Sequence, residues 1–333
     1  MSKNLELLLI PILLDFFLWI TPRLSIAPFL EQVAGFYLEF AAEIPEAAGD
    51  TQNSSGDPSV TPETITEFMT QFADILTSLG QDINLFNFLV SSSLMHVPSL
   101  VPSLGLETMQ MLSESMNRPL QINTIDQPLS IIMLSLLLGT IGIFIGVVYM
   151  GMLVRYLPIG IAPKHDTWDD FLRQSIRHWG QIVLFVVSVF FILLMISIPI
   201  SIGVALLTII SPAIGSFLMF LMSGGVVILF FYLTFVTAGI VMDDLPLLIS
   251  VRQSFRLVKN HFWRTLGFVM LTNLIYMGFY FLLGQLVVAY QPIGGMVAIA
   301  LNAYISTGLV MALLVFYRTR LIKVDAETVF GSE

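Results

Sequence analysis

Residues 181–210 read QIVLFVVSVFFILLMISIPISIGVALLTII, thirty consecutive positions without a charged side chain. An α-helix rises about 1.5 Å per residue and the hydrocarbon core of a bilayer is about 30 Å thick, so about 20 apolar residues suffice to cross it. This stretch exceeds that length. It has room to tilt or bend, and Pro199 is the expected kink.

Working outward, Leu129–Val154, Ala213–Val241, Leu266–Tyr290 and Ile293–Tyr317 repeat the pattern. The 333-residue chain is 56% hydrophobic and 11% charged, with a mean hydropathy of +0.88. Soluble domains carry roughly 25% charged residues, so lipid is the solvent for most of this one. Leu5–Ile20 is a shorter sixth candidate that contains Glu6, Pro11 and Asp15. It reads as a retained helix or as a secretory signal. Lys3 as a thin basic start, two carboxylates in the apolar run and the lack of an A-x-A cleavage site favour the retained helix. The expected fold is therefore an all-α integral membrane protein of about six transmembrane helices. Two cytoplasmic amphipathic interfacial helices and one extracytoplasmic helical insert complete it. Its parts are a first transmembrane helix (1–24), an acidic insert (25–128) and a five-helix membrane domain (129–333).

Charge sets the expected orientation. If the first helix enters from inside, the inner segments hold Lys3, Arg155, Lys164, Arg173, Arg177, Arg252, Arg256, Lys259, Arg264, Arg318, Arg320 and Lys323. Of the 14 basic residues only Arg23 and Arg118 fall outside. The positive-inside rule then puts both termini in the cytoplasm and residues 25–128 outside, in a protein of the cell membrane. The absence of cysteine excludes disulfides, thiolate metal sites and a cysteine nucleophile. The net charge of −9 argues against nucleic acid as a partner.

Within the insert, Gly49–Pro62 is a Gly, Ser, Pro and Asp-rich loop, and Thr61-Pro62-Glu63 resembles a helix start with Thr as N-cap. Ile65, Phe68, Met69, Phe72, Leu76 and Leu79 follow at helical spacing up to Gly80, with further apolar pieces around Phe86–Met95 and Leu106–Met116. The plain expectation is a small helical cap packed on itself and on the membrane surface; the alternative is a ligand- or partner-binding domain. Asn53-Ser54-Ser55 matches the glycosylation sequon, a weak signal.

The two cytoplasmic loops resemble each other. Arg173-Gln174-Ser175-Ile176-Arg177 recurs as Arg252-Gln253-Ser254-Phe255-Arg256, each before a tryptophan and a new span. Trp168, Phe171, Leu172, Ile176 and Trp179 form one apolar stripe; Leu248, Val251, Phe255, Val258 and Phe262 form the other. Interfacial helices are expected at about 166–178 and 245–260. Trp168, Trp179, Phe262 and Trp263 are their membrane-interface anchors. The spacing from serine to tryptophan differs, four residues against nine, so a duplicated unit is only suggested.

Leu245–Leu274, LPLLISVRQSFRLVKNHFWRTLGFVMLTNL, carries Ser254, Leu257, Phe262-Trp263 and Leu266-Gly267 after the acidic turn Asp243-Asp244. This pattern resembles the membrane domain of glycerophosphoryl diester phosphodiesterase-type proteins and related uncharacterised bacterial polytopic membrane proteins. PILLDFFLWITPRLS (Pro11–Ser25) is similar to the opening of such proteins. The resemblance implies a helical membrane fold without the soluble catalytic barrel, and no active-site residue carries over.

Chemistry is sparse. His96, His165, His178 and His261 form no H-x-x-x-H pair, and no P-loop, G-x-G-x-x-G or G-x-S-x-G occurs. No cofactor, metal site or catalytic constellation is expected, so the chain does not read as an enzyme. Gly142 and Gly146 form a G-x-x-x-G, a sign of close helix packing. Asp15 is the one carboxylate expected deep in a span, as a proton or cation site or as a structural hydrogen-bond acceptor. Asn273, Gln285 and Asn302 read as interhelical hydrogen-bonding groups. Arg173, Arg177, Arg252, Arg256, Lys259 and Arg264 are lipid-headgroup candidates, or ordinary topology-setting charge. Three functions follow as expectations. The first is a non-catalytic organiser of anionic lipids or of a membrane protein partner at the inner face. The others are a small permease component using Asp15 and the last spans, and an extracytoplasmic sensor.

Overall fold

A computed structural model gives residues 5–49, 62–91, 97–115, 120–157 and 167–330 of the chain. His96, Arg118, His165, Thr61 and the Asn53 sequon lie outside the described residues. The chain opens with a 3-10 turn, Leu5–Leu8, and α1 (Leu9–Ile20), then a short strand β1 (Arg23–Ser25). The insert supplies α2 (Ala27–Gly49), α3 (Pro62–Asp82), a 3-10 turn Leu85–Asn87, α4 (Phe88–Ser91), a 3-10 turn Val101–Ser103, α5 (Leu106–Ser115) and β2 (Ile122–Thr124). Then come α6 (Pro128–Tyr156), α7 (Trp168–Ile210), α8 (Pro212–Leu233), α9 (Val236–Asp243), α10 (Leu247–Asn260), α11 (Phe262–Ala289) and α12 (Ile293–Phe330).

Five helical stretches among the described residues are long and apolar enough to cross a membrane: Pro128–Tyr156, Trp168–Val204, Ala213–Asp243, Phe262–Ala289 and Ile293–Ile322. They match the five long apolar stretches of the sequence. Their outward faces are apolar, as lipid requires; Phe217, Phe220, Leu274 and Met277 are exposed. α6 begins with Pro128 in its first turn, where a missing N–H costs nothing, and ends with Arg155, a cation suited to the C-terminal dipole.

α7 differs from expectation. The amphipathic segment around 166–178 is not a separate interfacial helix but the first turns of one helix of 43 residues. The Thr167 side chain caps it by accepting the Asp170 N–H at 3.3 Å. The join to the span contains only Gly180 as a weak helix former, and one glycine costs about 1 kcal/mol, too little to break a helix this long. The helix also runs on through Pro199.

The second amphipathic segment does stand alone as α10. Pro246 precedes it, and the non-helical backbone of His261 (φ −128°, ψ 36°) separates it from α11. Its protein-facing side carries Ser250, Ser254, Leu257 and Val258; of the apolar stripe, Val258 is buried and Val251 and Phe262 are half-buried against the core. Leu248 is 82% exposed and Phe255 is also exposed. The serines have work to do there. The Ser254 hydroxyl donates to the Tyr232 carbonyl (2.6 Å) and accepts the Phe235 N–H (3.2 Å), satisfying the backbone where α8 gives way to α9.

Residues of the insert do not all stay at the surface. α2 and α3 pair as a hairpin, with the Tyr37 and Phe72 rings edge to face at 5.1 Å. Gly80 stays helical, and α3 ends at Asp82. β1 pairs in parallel with β2, and the Asn84 side chain accepts the N–H groups of Leu24 (3.0 Å) and Phe86 (3.2 Å). Buried Arg23 donates to the Asp82 carbonyl at 2.7 Å, so it is a structural tie and not a free surface charge. Burial pulls its guanidinium below the usual arginine value, and the Asp82 charge opposes that pull. Beyond this collar, α4 packs against α6. The Leu89 backbone lies so close to Gly142 that a Cβ there would sit 2.5 Å from its carbonyl oxygen. Gly142 is midway along a 29-residue helix about 43 Å long. The glycine read as a contact between spans therefore admits the insert.

Candidate functional site

Asp15 is fully buried in α1. Its carboxylate accepts the Ser99 hydroxyl, the Leu100 N–H (2.9 Å to Oδ2, 3.0 Å to Oδ1) and the Val101 N–H (3.2 Å). These are donors at the start of the turn Val101–Ser103, which an anionic acceptor caps. The hydrogen-bond donors on Asp15 thus come from the insert, two of them from its backbone, and not from a neighbouring span. The Tyr280 hydroxyl, well inside α11, donates to the Ser103 carbonyl at 2.5 Å. Irregular backbone among membrane helices is tolerated where protein or a lined cavity satisfies it, and here Asp15 and Tyr280 do so.

Behind this segment lies a cavity of about 560 Å³. The insert contributes Val90, Val97, Pro98, Ser99, Pro102 and Ser103; α6 gives Met150, and Thr234 comes from the α8–α9 break. The opposite wall is α11 (Val269, Thr272, Asn273, Tyr276) and α12 (Ser306, Leu309, Val310, Leu313). Among the described residues no carboxylate, histidine, lysine or arginine lines it.

The intramembrane polar candidates separate. Asn273 is at the cavity, and its amide donates to the Val269 carbonyl of its own helix (2.8 Å), not across helices. Asn302 is buried and accepts Ser306 of its own helix at 3.3 Å. Gln285 is exposed elsewhere on α11. The interhelical bonds come from residues that composition does not flag: Tyr149 to Thr307 (2.8 Å) and Tyr280 to Ser103. Local helix carbonyls compete well for short polar side chains, which explains why the asparagines turn inward on their own helices.

The lipid-headgroup candidates do gather at one end of the bundle. Arg173, Arg177, Arg252, Arg256, Lys259 and Arg264 are all exposed there. Trp168 (65%) and Trp263 (79%) are exposed beside them, whereas Trp179 is half-buried and donates to the Thr140 carbonyl at 3.0 Å. Phe262 is half-buried against Phe231. The acidic turn faces inward. Asp243 accepts Arg318 (2.9 Å) and Tyr317 (2.7 Å), and Asp244 binds Arg177 and lies 2.7 Å from His178 Nε2. Burial works to raise the Asp244 pKa, but hydrogen bonds and charge from His178 and Arg177 outweigh it and hold the carboxyl below its ordinary value. Asp244 itself adopts a left-handed conformation (φ 55°) as the C-cap of α9. Arg177 is thus tied to α9, and the other five candidates form no ion pair among the described residues.

No three histidine, aspartate or glutamate side chains cluster to hold a metal among the described residues. Comparison with protein-family models, curated proteins and solved structures finds no match to this chain.

Proposed function

We propose that this multi-pass protein is a non-catalytic organiser of the inner membrane face, binding anionic lipid headgroups through Arg173, Arg252, Arg256, Lys259 and Arg264. One observation carries the reading. These five cations are exposed on the same end as Trp168, Trp263, Leu248 and Ile249, while the Asp243 side chain is buried against Arg318 and the half-buried Asp244 is paired with Arg177. Cations beside exposed apolar anchors are what a helix lying at a lipid interface needs. Each basic residue near an anionic surface contributes about 1 kcal/mol.

Six spans with both termini inside fit this reading. The Tyr156 hydroxyl at the end of α6 reaches Glu6, and the Trp19 ring lies against Gly295 at the start of α12. Residues 5–20 therefore run between the levels of the two bundle ends, over roughly 26 Å of helix. A small permease component is the second reading, and the cavity is the observation that favours it.

The test is lipid retention. Protein purified from mixed-lipid nanodiscs should keep anionic over zwitterionic lipid, measured by mass spectrometry. Replacing all five cations with glutamine should abolish the enrichment. Equal retention of both lipid classes by the wild type removes the proposal.

A further inference from the structure

Four of the hydroxyls lining the cavity behind the 97–103 segment donate to the protein, and those of Ser103 and Tyr276 also line it. The Ser99 hydroxyl donates to Asp15, and Thr234 Oγ1 donates to the Phe230 carbonyl (3.2 Å). Thr272 donates to the carbonyls of Phe268 (3.0 Å) and Val269 (2.9 Å), and Ser306 to Asn302 Oδ1 (3.3 Å). A hydroxyl has one proton and two lone pairs, so each of these four keeps acceptor capacity after donating to the protein. Asn273 adds an amide oxygen after giving an N–H to Val269. The rest of the wall is apolar: Val97, Pro102, Met150, Val269, Val310 and Leu313 among others.

We propose that this cavity binds an uncharged single-chain amphiphile with a hydroxyl head, such as a long-chain alcohol or a monoacylglycerol. Three properties select that class. A volume of about 560 Å³ falls in the range for one small ligand, too little to enclose a whole two-chain phospholipid. Among the described residues the wall holds no counter-ion, so a charged head would be desolvated there without compensation from them. The polar groups offer acceptors from the serine and threonine hydroxyls and the Asn273 oxygen, and donors from Ser103, Tyr276 and the second Asn273 N–H. A hydroxyl head, which both donates and accepts, is matched on both counts. Access from the bilayer suits such a ligand, because it already partitions there. The site is separate from the basic residues of the bundle end and does not depend on their role.

Full-length protein in nanodiscs of zwitterionic lipid tests this with oleyl alcohol, monoolein, oleate and octadecene as probes. Oleyl alcohol and monoolein should bind saturably, with oleate and octadecene at least tenfold weaker. Val310→Trp, which fills the space, should weaken oleyl alcohol at least tenfold. Asn273→Leu, at an exposed position, should remove most of the preference for the alcohol over octadecene. A Gln285→Leu control and the five-cation variant should bind as the wild type does. Oleate binding as tightly as the alcohol, or no saturable binding by protein with a normal melting transition, overturns the proposal. Should Val310→Trp not fold, an unchanged alcohol preference in Asn273→Leu does the same.

Discussion

Asp15, midway along the bundle, and the pair Asp243-Asp244, at its basic end, are carboxylates removed from water in different ways. Asp15 has two backbone N–H groups and a hydroxyl, and among the described residues no cation pairs with it. Asp243 has an arginine and a tyrosine, with the Asp243 and Arg318 side chains 8% and 9% exposed. Each arrangement does a different structural job. The donors on Asp15 come from the insert, so this carboxylate is what fastens non-helical chain among the helices. The cations on Asp243 and Asp244 come from α12 and α7, so those carboxylates tie three helices together where they approach water. In one case a charge holds backbone; in the other, charge holds charge.

The largest effect is expected at Asp15. Asp15→Leu leaves three buried donors without an acceptor, at about 1–3 kcal/mol each, so the loss should approach 5 kcal/mol. Asp15→Asn keeps one acceptor oxygen and should cost about half as much. Denaturation of the two variants in detergent checks the pair. Equal costs would mean that charge, not acceptor capacity, is what the segment needs. Next comes Asp243→Ala, which strands the buried Arg318; removing one partner of a buried pair costs about 3–5 kcal/mol. The double variant Asp243→Ala with Arg318→Met should recover part of that loss, whereas no recovery would show that Tyr317 is the partner that matters.

Ser254→Ala should cost about 1–2 kcal/mol, because the buried Phe235 N–H loses its acceptor. The equivalent change in the other copy of the motif, Ser175→Ala, should cost less. Ser175 is also buried, but in the middle of a continuous helix where backbone groups are already paired. A thermal-shift comparison in which both variants lose equally would break this distinction between the two copies.

These pairings show which features a sequence exposes. Five spans are legible because length and apolarity are local properties, and the gathering of cations at one end follows from loop charge. The entry of the insert is not legible in the same way. Leu85, Leu89, Leu100 and Leu112 could cover a membrane surface or enter it, and nothing local separates the two. The partner of Asp15 was equally hidden, since its donors are mostly backbone and lie more than 80 residues away. The buried serines of α10 are illegible for a related reason: periodicity counts apolar residues, while Ser254 answers to a backbone break in another helix that needs a hydroxyl. Continuity of α7 was misread because an amphipathic start and an apolar continuation look like two elements when hydrophobicity alone is followed.

The smallest effect concerns Asp244, and it separates the exposed half of the ionic cluster from the buried half. Its folded pKa lies below the unfolded value near 3.8. The contact therefore stabilises the fold fully above that value, and the contribution disappears as pH falls from there through the folded pKa. Arg177 is 56% exposed, so solvent screens the pair and the effect should stay below about 1 kcal/mol. Wild type should melt slightly above Asp244→Asn at pH 7, and the gap should close as the pH is lowered toward 3. A gap that is constant with pH would mean that the ionised carboxylate is not what separates the two proteins, since asparagine adopts the left-handed cap at least as readily as aspartate. High salt distinguishes the same alternatives, since screening weakens the ion pair and leaves backbone geometry untouched.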